Sequence, residues 1–151
     1  MFCTWCFLDY FEKRVKRALR LRELKKGQKV LIVGELAAYL FRTFVHVPLI
    51  VRFGKRWKDA DFSVIEWTED DEAVAFFGVF GENFKMRKND DLKILQFLSD
   101  QDALDYAQIK HISFTSRKKD KDWLAFVMQF DDHPEMKHTL VRNISELRKL
   151  Q

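Results

Sequence analysis

The run Lys29-Val30-Leu31-Ile32-Val33 meets Gly34 and then becomes an apolar stripe at helical spacing through Leu36, Tyr39 and Leu40. Short β-branched runs of this kind are buried strands, and residues spaced by three and four share one helix face. In open α/β sheets the first strand-to-helix turn is where the phosphates of a nucleotide usually sit, on the amides of the helix N-terminus. Such a cradle needs several glycines for close backbone approach, and a hydroxyl or lysine to finish the coordination. Here Gly34 stands alone, no Ser, Thr or Lys follows it in the turn, and Glu35 puts negative charge where a ligand's would lie. A glutamate suits a helix N-terminus because it complements the dipole. We therefore expect a plain joint capped by Glu35, with Gly34 at most a vestige of a nucleotide site.

The remaining bounds come from size and charge. A chain of 151 residues with 47% hydrophobic content and 15 Phe can bury one substantial core. No apolar run reaches bilayer length, and charged residues arrive by Asp9 to Lys16, which is not a signal-peptide layout. We expect a cytoplasmic protein with no membrane partner. The net charge of +4 is mild but unevenly placed. Phe7, Leu8, Phe11, Val15, Ala18 and Leu19 form a helical stripe, with Lys13, Arg14, Lys16, Arg17, Arg20 and Arg22 on the other face. Adding Lys25, Lys26 and Lys29 gives nine basic residues between positions 13 and 29, flanked by Glu12 and interrupted by Glu23 alone. A solvated helix face is the ordinary meaning of such a pattern. This density points instead to a phosphate backbone, bound through counterion release without sequence specificity.

Cys3 and Cys6 are the only cysteines, and they precede this helix. A Cys-x-x-Cys pair presents two thiolates to one tetrahedral ion. The four histidines (His46, His111, His133 and His138) lack a spacing that completes the set. Three readings stand side by side: an unmetallated pair, a zinc shared between two chains, and a redox pair lacking its usual βαβ context. We divide the chain into residues 1–28, the cysteine pair with the basic helix, and residues 29–151, an α/β domain.

Further strands are expected at Pro48–Phe53, Asp61–Trp67, Leu92–Leu95 and Ile112–Phe114. Thr68-Glu69-Asp70-Asp71 opens a helix as N-cap and first-turn acids, which Gly78 and Gly81 should break before a polar connection from Phe84 to Asp91. Asp70, Asp71 and Glu72 could form a metal cluster, although acids in a first turn are ordinary dipole partners. Ser99 and Asp102 resemble a capping box for a helix from Gln101 to Lys110. Two more helices follow, striped by Trp123, Phe126, Val127 and Phe130, and then by Leu140, Ile144 and Leu147. Strands alternating with helices indicate a mainly parallel sheet. No catalytic constellation emerges, since there is no Gly-x-Ser-x-Gly, no His-Glu-x-x-His and no further cysteine.

Three blocks resemble the PP-loop ATP-pyrophosphatase, or adenine nucleotide alpha-hydrolase-like, family that makes 2-thiouridine in tRNA, and in particular the non-catalytic subunit of the wobble-uridine thiolase. Residues Phe2 to Phe11, the basic residues after them and Leu24 to Val33 are similar to that family's second zinc knuckle, basic helix and first strand. Thr68-Glu69-Asp70-Asp71-Glu72-Ala73 resembles its Asn-Leu-Asp-Asp-Glu-Ala segment, which lies beside the nucleotide. Leu92 to Leu150 resembles its C-terminal part, most closely at Ala103-Leu104-Asp105-Tyr106-Ala107 and His133 to Arg142. The family's Ser-Gly-Gly-x-Asp-Ser loop should follow Val33, but only Gly34 remains. The first zinc knuckle and the catalytic cysteines have no counterpart, and about two strand–helix units are missing between Phe44 and Ala60.

The resemblance implies a reduced Rossmann-like sheet in a catalytically inactive relative, a pseudoenzyme that binds tRNA or scaffolds a catalytic thiolation paralogue. RNA contacts would come from Lys13, Arg14, Lys16, Arg17, Arg20, Arg22, Lys25 and Lys26. Gly34, Asp70 and Asp71 would mark a vestigial nucleotide site that no longer takes ATP. Two alternatives differ in class: a residual ATP-binding, adenylating enzyme, and a homodimer joined through a zinc on Cys3 and Cys6.

Overall fold

In the computed structural model, residues 3–81, 91–130 and 133–149 are described. Four parallel strands form one sheet: β1 (Lys29–Val33), β2 (Ile50–Phe53), β3 (Phe62–Thr68) and β4 (Leu92–Leu95), in the order β2-β1-β3-β4. Val30, Leu31 and Ile32 of β1 are all buried, as a strand covered on both faces requires. The cover comes from α1 (Thr4–Arg20), α2 (Glu35–Phe44), α3 (Glu69–Gly81), α4 (Asp100–Lys110), α5 (Lys121–Met128) and α6 (Pro134–Lys149). The architecture is α/β, a Rossmann-like parallel sheet flanked by helices.

Helix α1 is part of the core. Its residues Phe11, Val15 and Leu19 are buried with β1, β3 and β4, and Phe11 stacks on Tyr106 of α4 with ring centroids 3.9 Å apart. Fully burying a side chain of this size is worth roughly 1.5–3 kcal/mol, so the apolar stripe fixes which way the basic face must point. A smaller cluster lies beyond the sheet, where Ala73 and Val74 of α3 meet Val127 of α5, with Phe77, Trp123 and Leu124 around them.

Two features prepare the carboxyl edge of the sheet. β1 leads through α2 to β2 on one side, whereas β3 lies on its other side, so the connections diverge between β1 and β3. β3 pairs with β4 at Val64↔Leu92 and Ile65↔Lys93, then shifts register before Thr68↔Leu95. A bulge of this sort bends a strand and re-aims its last side chains.

Three expectations change. Ile112–Phe114 is not a strand; among the described residues no strand pairs with it, and Ile112 and Phe114 instead pack on the core as irregular chain. Gly78 does not break α3, which continues to Gly81. The roughly 1 kcal/mol cost of a helical glycine is outweighed where Ala73, Val74 and Phe77 anchor the helix against α5. Helix α1 starts at Thr4, earlier than its apolar stripe suggests, because the Cys3 thiol caps it. The connection expected from Phe84 lies, apart from Asp91, outside the described residues.

Candidate functional site

Ligands of open α/β sheets bind outside the carboxyl ends of the strands, where the connections diverge. In this molecule that crevice contains a side chain of its own. Val33 pairs with Ile65, so Gly34 and Glu66 emerge next to each other from β1 and β3. The Glu66 carboxylate accepts a hydrogen bond from the Ala37 amide (3.0 Å) at the start of α2. Gly34 is the N-cap, at φ 109° and ψ 148°, and offers no side-chain cap. A Cβ built on it would lie 2.2 Å from the Glu66 carboxylate carbon. The glycine therefore makes room for an internal carboxylate. Burial pushes the Glu66 carboxyl up from its ordinary range; the Ala37 and Leu36 amides and Arg117 act against this, and Glu35 adds to it. The expected cap by Glu35 is thus corrected: the carboxylate that reaches into the first turn comes from β3.

At the end of β3 the four acids of the α3 first turn are all buried. Thr68 and Asp71 cap the helix reciprocally, the Thr68 hydroxyl accepting the Asp71 amide (3.2 Å) and the Asp71 carboxylate accepting the Thr68 amide (3.0 Å). Each acid has its own basic partner. Glu69 meets His138 Nδ1 at 2.5 Å, Asp70 pairs with Lys137, Asp71 with Lys119 at 2.7 Å, and Glu72 with Lys93 at 2.7 Å. Lys119, whose side chain is 4% exposed, also bridges to Asp100 at 2.6 Å. Burial alone would lower the Lys119 pKa, but the hydrogen bonds and charges of Asp100 and Asp71 outweigh it and raise the value. Asp70 accepts the Asp100 amide, and the Thr68 hydroxyl donates to Asp100. Among the described residues, every buried side-chain nitrogen and oxygen has a partner, and no group of three His, Cys, Asp or Glu is arranged to hold a metal. Asp70 and Asp71 are each held by an ammonium group, and Asp70, with Glu69, Asp100, Lys137 and His138, also lines an open cavity of about 440 Å³.

The basic residues of α1 behave differently. Arg14 lies over the Tyr10 ring (4.4 Å) and donates to the Phe97 carbonyl (3.0 Å), while Arg17 lies over the Phe97 ring (4.6 Å). Lys16 sits over Phe44 (4.8 Å) and Arg22 over Phe62 (4.0 Å). Lys13 pairs with Asp9 (2.6 Å), Lys25 approaches Glu23 (3.9 Å), and Arg20 and Lys26 are exposed. The strip thus divides over two sides of the helix. Arg14 and Arg17 face α6, whereas Lys16, Arg20 and Arg22 line a groove with Phe44 and His46. Cys3 and Cys6 are exposed and free, their sulfurs 3.1 Å apart, with the Cys3 sulfur accepting the Cys6 amide (3.3 Å). That amide lowers the Cys3 pKa, while the neighbouring Cys3 raises that of Cys6.

Sequence reasoning did not single out Glu66 or Lys119, and it met His138 and Arg142 within a resembling block without giving them a role. The partners of the first three and the cavity that Arg142 lines lie more than 20 residues away in the chain or between helices. One signal was available for the bases: four consecutive acids at a buried helix start require cations from elsewhere.

A parallel sheet with a helix rising directly from its first strand, and diverging connections beside that strand, defines a Rossmann-like α/β protein. Among solved structures this chain is similar to the U34-tRNA thiolase NcsA from Methanococcus maripaludis with its 4Fe-4S cluster. The TM-score is 0.66 at 13% identity, covering 97% of this chain and 80% of that one. At that identity the likeness is one of fold. No protein-family model and no curated protein sequence matches the chain. Iron–sulfur clusters are held by sets of cysteine thiolates. Cys3 and Cys6 alone do not make a four-cysteine set, and no cluster chemistry is assigned to this chain.

Proposed function

We propose that this chain is a distant, catalytically inert relative of the tRNA-thiolating enzymes, and that it acts by binding tRNA or scaffolding a partner. One observation carries the reading: the crevice that takes a ligand's phosphate in this fold class is filled by Glu66, while Arg14 and Arg17 of α1 stand on aromatic rings with no carboxylate at ion-pair distance among the described residues. The shared fold with a U34-tRNA thiolase and the resembling blocks around Cys3, Asp70 and His133 support the same direction. Arg14, Lys16, Arg17, Arg20 and Arg22 would contact phosphates, and a catalytic paralogue is the partner that the family resemblance suggests.

Two measurements test this. Calorimetric titration of the folded protein with ATP and magnesium should give no binding heat, and a gel shift at low salt should retain tRNA. Replacing Arg14, Lys16 and Arg17 together with Glu should abolish that retention. Clear ATP binding would restore the adenylating alternative, and retention unchanged by the triple replacement would remove α1 from the interface. A shared zinc is favoured by one local fact, the two exposed sulfurs 3.1 Å apart at the start of α1. Two such ends together would offer four thiolates to one ion. Metal analysis and sizing of a Cys3→Ser variant decide that point, because a zinc-joined dimer should lose its metal and fall to the mass of a monomer.

A further inference from the structure

Between α1 and α6 lies a small cavity of about 180 Å³, lined by Arg14, Arg17, Phe97, Glu69, His138 and Arg142. Three arginines therefore converge from two helices that are far apart in sequence. Glu69, the one acid among the described residues that line the cavity, is taken by His138 Nδ1 at 2.5 Å. Among the described residues, none of the three arginines has a carboxylate within ion-pair distance. Arg14 and Arg17 are held instead by the Tyr10 and Phe97 rings and the Phe97 carbonyl.

This arrangement fixes guanidinium groups in place without neutralising them. A ring face and a carbonyl take one N–H or one plane of a group with five donors, leaving the rest of the fork available. Planar forks held by packing are pre-organised for the oxygens of a phosphate. The size of the cavity narrows the ligand further. It is smaller than the roughly 300–1,000 Å³ of sites that enclose whole small molecules, so it fits one group rather than a nucleotide. Lys16, Arg20 and Arg22 continue the positive charge over the other side of α1, as an extended polyanion would need.

We infer that the α1–α6 cavity grips one backbone phosphate of RNA between Arg14, Arg17 and Arg142. The inference rests on the tRNA-binding reading above and adds to it a residue, Arg142, that lies outside the basic strip. The phosphate belongs to an RNA backbone; free inorganic phosphate is the competing ligand.

Fluorescence anisotropy with labelled tRNA across a salt series tests it, using the full chain. Arg142→Ala and Arg17→Ala should each weaken binding several-fold and reduce the slope of log affinity against log salt by about one. The double variant should lose less than the product of the two single losses, because both groups serve one phosphate. Arg142→Lys should keep the salt slope and lose part of the affinity. Lys55→Ala, exposed after β2 at the opposite sheet edge, should match wild type. Thermal melts guard against misfolding, and Arg142 is exposed. If Arg142→Ala behaves like Lys55→Ala while the Arg14, Lys16 and Arg17 triple replacement still abolishes binding, the cavity is refuted and the tRNA reading stands. If wild type retains no tRNA, both fail. Saturable binding of inorganic phosphate that Arg142→Ala removes, with tRNA affinity unchanged, overturns the assignment to RNA.

Discussion

The carboxyl edge of the sheet and the outer face of α1 are both densely charged, yet the two are built in opposite ways. At the sheet edge, Glu66 lies on an α2 amide, and Glu69, Asp70, Asp71 and Glu72 each hold a basic partner inside the protein. On α1, Arg14 and Arg17 rest on aromatic rings and a carbonyl, and among the described residues no carboxylate lies at ion-pair distance from them. Charge by itself therefore says little about function. A buried cluster that closes on itself is a structural element, whereas charges steadied by rings and left unneutralised are available to an outside partner. Asp70 and Asp71 stand out in the sequence as neighbouring acids, and the structure adds that each is paired with a lysine from elsewhere in the chain.

The strongest way to break this comparison is to open that network. Removing one member of a buried ion pair strands its partner's charge and costs about 3–5 kcal/mol. Lys119 serves both Asp71 and Asp100, so Lys119→Met should lower the unfolding free energy measured by urea titration by an amount in that range. Adding Asp71→Asn and Asp100→Asn should recover part of the loss, because the stranded charges go with them. A pH series gives a second check. The Lys119 pKa is raised above 10.5, so its stabilisation is complete below that pH and is lost as pH climbs through the raised value. Alkaline destabilisation should therefore be weaker in Lys119→Met. A loss below about 1 kcal/mol, the size of a surface pair, would make the acid turn ordinary solvated surface and end the contrast.

A smaller effect is expected at Gly34. Its φ of 109° with ψ of 148° belongs to a region open essentially to glycine, and side chains held there cost on the order of 1–3 kcal/mol. Gly34→Ala should destabilise by that amount and also displace the Glu66 carboxylate, which occupies the position of the new Cβ. Adding Glu66→Ala relieves the collision but leaves the backbone strain, so the double variant should recover only part of the loss. Full recovery would mean that contact, not conformation, keeps the glycine.

How far the sequence disclosed these regions follows from the range of the forces involved. The β1 run, the stripe of α2 and the Ser99–Asp102 capping box are local, and each formed as its residues indicate. Ile112–Phe114 has the apolarity of a strand but no strand to pair with among the described residues, and only the assembled sheet reveals that. Gly78 is a helix breaker by propensity, overruled by the packing of Phe77 on Trp123 at 5.8 Å between ring centroids. The basic strip was visible as a strip, but its division between two sides of α1, and the convergence of Arg142 on one of them, depend on where α6 docks. Glu66 reads as one more residue of β3, 29 positions from the amide it meets.

The gentlest test sharpens the comparison at Glu66, where an anion has been taken inside. Its pKa is raised from 4.5, chiefly by burial. For a carboxyl group raised on folding, stability is highest when the group is protonated and falls as pH rises through the folded value. Glu66→Gln keeps a carbonyl oxygen to accept the Ala37 amide and removes the charge. Wild type and variant should therefore have similar midpoints near pH 4 and diverge in favour of the variant toward pH 8, levelling once Glu66 is ionised, with a difference in the range of about 1 kcal/mol or less expected of a partly exposed group. The reverse trend, with wild type gaining as pH rises, would show that the α2 amides and Arg117 stabilise an anion more than burial penalises it. The crevice would then be a good anion site that this chain has filled with its own carboxylate, and Glu66→Ala with pyrophosphate would become the informative titration.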